Sequence, residues 1–155
     1  MSVTKPRVVD IMSRDVVTIY ASDSLHDALK LLVENHVSAL PVVNGAGHCL
    51  GILSTTDVVN MTSEQEFELD QLDQDSGSMR QWLSERLANS LGHHSVSEIM
   101  TDQVLSVTPD SSVKEAAEAM VEHGVHHLPV VNAEKKLQGI VSTLDVLSVL
   151  NLCST

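Results

Sequence analysis

Aromatic residues are almost missing from this chain: one Trp, one Tyr and one Phe among 155 residues. A protein that stacks single-stranded bases needs several such rings, so that class of function is set aside. Basic residues are scarce too, nine Lys and Arg against 21 Asp and Glu, for a formal net charge of −12. Nucleic-acid binding rests on Lys and Arg neutralising phosphates, and nine scattered bases do not supply that surface. The acids are unevenly spread, with Glu64, Glu66, Glu68, Asp70, Asp73 and Asp75 in one stretch and no base before Arg80. Half of the net charge therefore belongs to one segment, which leaves room elsewhere for a small anionic ligand. The two cysteines, Cys49 in an apolar run and Cys153 near the end, form neither a disulfide framework nor a CxxC pair, so a reducing compartment is expected. No run of 18 apolar residues and no basic-then-apolar leader occurs, which predicts a soluble, cytoplasmic protein with no membrane partner. A chain of this length makes one ordinary domain, or two small units sharing a core, without covalent staples.

What the chain does contain is a repeat. Displaced by 88 residues, Val8 to Val59 falls on Val96 to Leu147 with 20 identities in 52 ungapped pairs. Ile11-Met12 meets Ile99-Met100, and Leu40-Pro41-Val42-Val43-Asn44 meets Leu128-Pro129-Val130-Val131-Asn132. Gly51-Ile52 meets Gly139-Ile140, and Ser54-Thr55-x-Asp57-Val58 meets Ser142-Thr143-x-Asp145-Val146. One structural unit has been duplicated.

Within each copy the hydrophobic period changes along the chain. Val16 to Ile19 and Val104 to Val107 read as short strands. A helix follows, capped from Ser22 to Ser24 or from Asp110 to Ser112, with apolar stripes of Ala28, Leu29, Leu32 and Val33, and of Val113, Ala116, Ala117, Met120 and Val121. It stops at Gly124 in the second copy but at His36 in the first, where Gly would be the easier left-handed cap. Leu40 to Val43 and Cys49 to Leu53 form a hairpin through Asn44 to Gly47, copied through Asn132 to Lys136. A second helix starts near Thr55 or Thr143. Pro41 and Pro129 lie inside strand-like runs, which predicts a strand edge or start with free peptide groups nearby. The fold class is α/β (α+β), two β-α-β-β-α repeats, each too small to cover both faces of its sheet and so packed on the other. The expected domains are 1–60, an insert at 61–95, and 96–155. In the insert, residues 62–77 are expected to include a mobile loop. Met79, Trp82, Leu83, Leu87 and Leu91 predict an amphipathic helix, either packed on its own domain or forming a partner surface.

The LPVVN segment and the Gly-Ile-Leu-Ser-Thr-Thr-Asp run, found twice in register, resemble the CBS domain, which occurs as tandem pairs called Bateman modules. The resemblance implies a pseudo-twofold pair with composite clefts that bind an adenine nucleotide (AMP, ADP or ATP) or S-adenosylmethionine as a regulatory ligand. It also implies a homodimer that signals to a partner protein, with no catalytic cofactor, no metal and no enzyme activity. One cleft is expected to combine Ser54, Thr56 and Asp57 with Thr101, Ser106, Val125, His126 and His127. The other would combine Ser142 and Asp145 with Ser13, Thr18, Val37, Ser38 and Ala39. An aspartate at a helix start can accept both hydroxyls of a ribose, and the adjacent hydroxyls and free N–H groups suit a phosphate. Small β-branched walls and peptide groups suit the adenine. The first cleft, with Thr56 and two histidines, is expected to be the better phosphate site.

Plainer readings stand beside these. Asp57 and Asp145 can serve only as helix caps, and His126-His127 only as a half-exposed pair at a strand start. His93-His94 and His123 raise a metal site, without supporting ligands at a suitable spacing. Ser54 and Ser142 lie in a GxxS order, not that of a nucleophile elbow. Besides a nucleotide sensor, the sequence leaves open a ligand-free scaffold using the Trp82 helix, and a metal or redox responder using histidines and Cys49.

Overall fold

The computed structural model describes residues 5–64, 94–102 and 105–152. The acidic stretch after Glu64 and the Met79-to-Leu91 stripe lie outside the described residues. The element order is α1 (Val8–Ile11), β1 (Ile19–Tyr20), α2 (Leu25–Glu34), β2 (Ala39–Val43), β3 (Cys49–Ser54), α3 (Thr55–Glu64), α4 (Val96–Ile99), α5 (Val113–His123), β4 (His127–Val131), β5 (Leu137–Ser142) and α6 (Thr143–Leu152). The order β-α-β-β-α recurs in both copies, except that among the described residues the first strand of the second copy is one bridge, Val107 to Val130.

All four longer helices begin with Ser-x-x-Asp or Ser-x-x-Glu, and the structure shows why. Ser24 Oγ accepts from the Asp27 N–H at 3.1 Å, and Ser112 Oγ from the Glu115 N–H at 3.0 Å, while the Glu115 carboxylate accepts from the Ser112 N–H. Ser54 and Ser142 start α3 and α6 in the same way. Each pair satisfies N–H groups that the helix geometry leaves without partners. The apolar stripes of α2 and α5 run through Leu25, Ala28 and Leu32 and through Val113, Ala116 and Met120. Val33 and Val121, expected in those stripes, are 72% and 84% exposed, because each lies a further 100° around the helix from the last buried residue.

The sheets have the orders β1-β2-β3 and β4-β5. Each proline is third of five residues in its strand, not at its start: Pro41 lies in β2, the central strand of its sheet and not the expected edge, whereas Pro129 lies in β4, an edge strand as expected. Val107 donates its N–H to the Pro129 carbonyl and accepts from the Val131 N–H, a parallel bridge. The next bond back along this ladder would need an N–H on Pro129, which proline lacks. Pro129 therefore ends the pairing at one bridge, and Leu105 stays unpaired by this ladder. In the first copy β1 spans only Ile19–Tyr20, shorter than the strand expected at Val16 to Ile19; in the second, Val104 lies outside the described residues.

Two compact units divide the chain, one comprising Val17–Val42 and Gly51–Asp102, the other Met1–Val16, Val43–Leu50 and Gln103–Thr155. Each holds a core in which the leader of one repeat joins the body of the other. In the first unit Val96 is buried with Ile19, Leu25, Ala28, Leu32, Leu40, Val42, Leu53 and Val58, and Ile99 and Met100 pack against them. In the second, Val8 is buried with Ala116, Met120, Leu128, Val130 and Val141, alongside Ile11 and Met12. The backbone bonds repeat the exchange. Val96 N–H donates to the Asp23 carbonyl at 2.9 Å and Val8 N–H to the Ser111 carbonyl at 2.8 Å. Thr101 pairs with Ile52, and Ser13 with Ile140.

Two residues carry a backbone suited to glycine. His36 (φ 52°) sits where the second copy has Gly124 (φ 64°), and Lys135 (φ 66°) where the first copy has Gly47 (φ 85°). His36 closes α2 while the Val37 N–H returns to the Leu32 carbonyl at 3.1 Å, as the Val125 N–H does to Met120 at 3.0 Å. Asn44 and Asn132 hold the hairpin turns, each side-chain oxygen accepting two backbone N–H groups at 3.0 Å. Because a left-handed conformation strains a Cβ-bearing residue, His36→Gly and Lys135→Gly are each expected to stabilise the protein by about 0.5–1 kcal/mol. Urea midpoints check this; a lower midpoint in both would show that the side chains make compensating contacts.

Candidate functional site

The residues singled out by sequence fall into two sets. Thr18, Val37, Ser38, Ala39, Ser54, Thr56, Asp57 and Thr101 lie in the first unit, and Ser13, Ser106, Val125, His126, His127, Ser142 and Asp145 in the second. The expected composite clefts join residues of different units.

Within the first unit, the start of α3 gathers four of them. Asp57 Oδ2 accepts from the Ser54 N–H at 2.9 Å and the Ser54 hydroxyl at 3.1 Å, and the Asp57 N–H donates back to Ser54 Oγ at 3.2 Å. The other oxygen, Oδ1, accepts from the Thr101 hydroxyl at 3.2 Å across 44 residues of sequence. The Thr55 N–H donates to the Ser38 carbonyl at 2.9 Å, which ties the 37–39 segment to the same helix start. The capping role of Asp57 is therefore real, and it uses only one carboxylate oxygen.

The second unit repeats the arrangement with different side chains. Asp145 Oδ2 accepts from the Ser142 N–H at 2.8 Å, the Asp145 N–H donates to Ser142 Oγ at 3.2 Å, and the Thr143 N–H donates to the His126 carbonyl at 3.0 Å. His127 lies directly across the β4-β5 ladder from Ser142. Burial, first, and the neighbouring His126, second, lower the His127 pKa below the ordinary imidazole value, and the Asp145 charge opposes them without prevailing. The unfolded chain takes up this proton near the ordinary value of about 6.5, before the folded protein does. Stability associated with neutral His127 is thus complete above that pH and lost as pH falls below it. Thermal midpoints between pH 7.5 and 5 are expected to fall less steeply in His127→Ala, which copies Ala39 of the first repeat. An unchanged slope would remove this contribution.

Two residues that matter were not read as functional from sequence. Gly51 and Gly139 lie beneath the leaders: a Cβ on Gly51 would sit 2.4 Å from the Thr101 carbonyl oxygen, and one on Gly139 would sit 2.6 Å from that of Ser13. Glycine inside a strand marks such close backbone approach, and that was the available signal. Among the described residues, which leave out His93, no three His, Cys, Asp or Glu side chains converge, and His94 pairs with Glu98 at 2.7 Å. Cys49 is buried. No helix among the described residues is long and apolar enough to cross a membrane.

A sequence profile of the CBS domain matches residues 8–64 and 96–152. The chain belongs to the CBS domain family. This CBS pair is 31% identical over 153 residues to the uncharacterized protein MJ1426 of Methanocaldococcus jannaschii, covering 92% of this chain and 90% of that one. It is 30% identical over 139 residues to the 5'-AMP-activated protein kinase subunit gamma-3 of Sus scrofa, covering 90% of this chain but 24% of that protein. Other, longer relatives are likewise spanned over only 23 to 31% of their length. Among solved structures, CBSX2 of Arabidopsis thaliana in complex with AMP aligns with a TM-score of 0.74 at 26% identity, covering 97% of this chain and 99% of that one. The pair of repeats thus spans nine-tenths or more of some relatives' chains and about a quarter to a third of others.

Proposed function

We propose that this CBS pair is a regulatory module that binds an adenine nucleotide of the AMP, ADP or ATP type and reports the bound state to a partner protein, with no chemistry of its own. One observation carries the reading. Asp57 is anchored through Oδ2 while Oδ1 accepts a hydroxyl, which supports a role for this carboxylate in taking a hydroxyl of the kind a ribose offers. Asp145 is anchored in the same way through Oδ2. In this reading Asp57 and Asp145 take the ribose hydroxyls. The hydroxyls of Ser54, Thr56 and Ser142, with the N-terminal dipoles of α3 and α6, favour a phosphate. Peptide groups of 37–39 and 125–127 take the adenine edge. The AMP-bound relative supports this choice of ligand.

A ligand that binds only the folded form raises its stability by mass action, about 2.7 kcal/mol at one hundred times the dissociation constant. Millimolar AMP, ADP, ATP or S-adenosylmethionine is therefore expected to raise the melting temperature by several degrees, with NAD as the comparison compound. The gain should shrink in Asp57→Ala and in Asp145→Ala. No shift with any of these compounds would reject the reading.

The module is further proposed to act as a homodimer. Leu144, Leu147 and Leu150 of α6 are 74%, 54% and 65% exposed at successive three-residue spacings, an apolar stripe that a partner surface would cover. Sedimentation should show a dimer in the wild type and a monomer in Leu147→Glu; a monomeric wild type would refute it.

A further inference from the structure

We propose that Thr101 is a latch on the Asp57 half-site, so that the two half-sites fill in a fixed order, the one at Asp145 before the one at Asp57. The inference rests on the reading above, in which these carboxylates hold an adenosyl ligand, and it adds the regulation of their occupancy.

The two half-sites share one backbone plan. Thr101 is fixed to Ile52 by two hydrogen bonds of 3.1 and 2.9 Å, and Ser13 to Ile140 by two of 2.9 and 3.0 Å. The close approach permitted by Gly51 and Gly139 holds each leader against its strand. In both, Oδ2 of the aspartate is engaged by the serine three residues earlier. They differ at the remaining oxygen. Asp57 Oδ1 already accepts from Thr101 Oγ1, whereas among the described residues neither Asp145 Oδ1 nor the Ser13 hydroxyl has a hydrogen-bond partner. The chemical difference is one methyl group. A β-branched threonine has few side-chain rotamers, so a hydroxyl once aimed at a carboxylate stays there, while a serine rotates more freely.

A ribose hydroxyl arriving at Asp57 Oδ1 therefore competes with the Thr101 hydroxyl for that oxygen, whereas among the described residues no hydroxyl competes at Asp145 Oδ1. The apparent affinity of a site open for a fraction of the time is reduced by that fraction, so a latch closed nine-tenths of the time weakens binding about tenfold. The Thr101 bond reverses the ranking that counting hydroxyls and histidines suggests. Displacing Thr101 also frees the side-chain link between the leader and α3, which makes occupancy of the second half-site the structural signal.

Calorimetric titration of the full chain with AMP tests the latch, using Asp145→Asn to isolate the Asp57 half-site and Asp57→Asn to isolate the other. With Asp145→Asn present, Thr101→Val is expected to tighten AMP binding about tenfold. With Asp57→Asn present, Ser13→Thr is expected to weaken it. Equal affinities at the two half-sites, or weaker binding in Thr101→Val, would overturn the latch while leaving nucleotide binding in place. A ligand-free double-mutant cycle between Thr101→Val and Asp57→Asn in urea should show coupling, with none between Ser13→Val and Asp145→Asn; no Thr101–Asp57 coupling overturns the latch whatever the titrations show. If AMP binds neither the wild type nor any variant while that coupling is present, the nucleotide reading fails, and ordered filling falls with it.

Discussion

Val8→Asp is expected to destabilise the unit that contains the second repeat by about 3–5 kcal/mol, although Val8 belongs in sequence to the first. Val8 is fully buried among Ala116, Met120, Leu128, Val130 and Val141, with no partner for a carboxylate. An unpaired charge there must be desolvated or protonated, and either route penalises the folded form. Hydrogen exchange locates the effect. Protection should fall first in α5, β4, β5 and α6 and last in α2 and β2, while Val96→Asp should show the reverse, since Val96 is buried with Leu25, Leu32 and Leu40. Loss confined in each variant to the mutated residue's own repeat would contradict the exchange of leaders.

The second large effect is expected from glycine. Gly51→Ala would place a Cβ 2.4 Å from the Thr101 carbonyl oxygen, and the obstructing atom is backbone held by two hydrogen bonds to Ile52. The side chain cannot rotate away, so the leader must lift. The cost is about 1–3 kcal/mol for the overpacking, larger if both bonds to Ile52 break. Lifting the leader also withdraws the Thr101 hydroxyl from Asp57. Urea unfolding of Gly51→Ala and Gly139→Ala is expected to show the loss in both, against Gly45→Ala, where an added Cβ meets nothing within 4 Å. Equal stability across all three would mean that the leaders are not pressed against these strands.

Much of this architecture was written in the residues twice. The helix starts, the LPVVN hairpins and the Ser-x-x-Asp boxes each recur after 88 residues, and their periods and caps are local properties of the chain. The exchange of leaders is different in kind. Val8, Ile11 and Met12 are identical to Val96, Ile99 and Met100, so either leader presents the same apolar contacts to either body. Duplication removes the very contrast that would reveal which body each one joins. The single bridge at Val107 escaped for a stereochemical reason: Pro129 was visible, but not the side of the strand on which its missing N–H falls. At the site, Ser54 with Asp57 and Ser142 with Asp145 were legible from spacing, whereas the Thr101–Asp57 bond spans 44 residues and depends on where α4 docks. The prominence given to Val33 and Val121 shows the limit of a stripe drawn from hydrophobicity alone, since both point outward.

The measurement that bears most directly on the function is a crystal structure of the protein grown with AMP. Density for the adenosine is expected with its ribose hydroxyls within hydrogen-bond distance of Asp145 Oδ1, and at higher concentration of Asp57 Oδ1, the Thr101 side chain having turned away. AMP seated elsewhere, with both carboxylates still engaged only by Ser54, Ser142 and Thr101, would contradict the account.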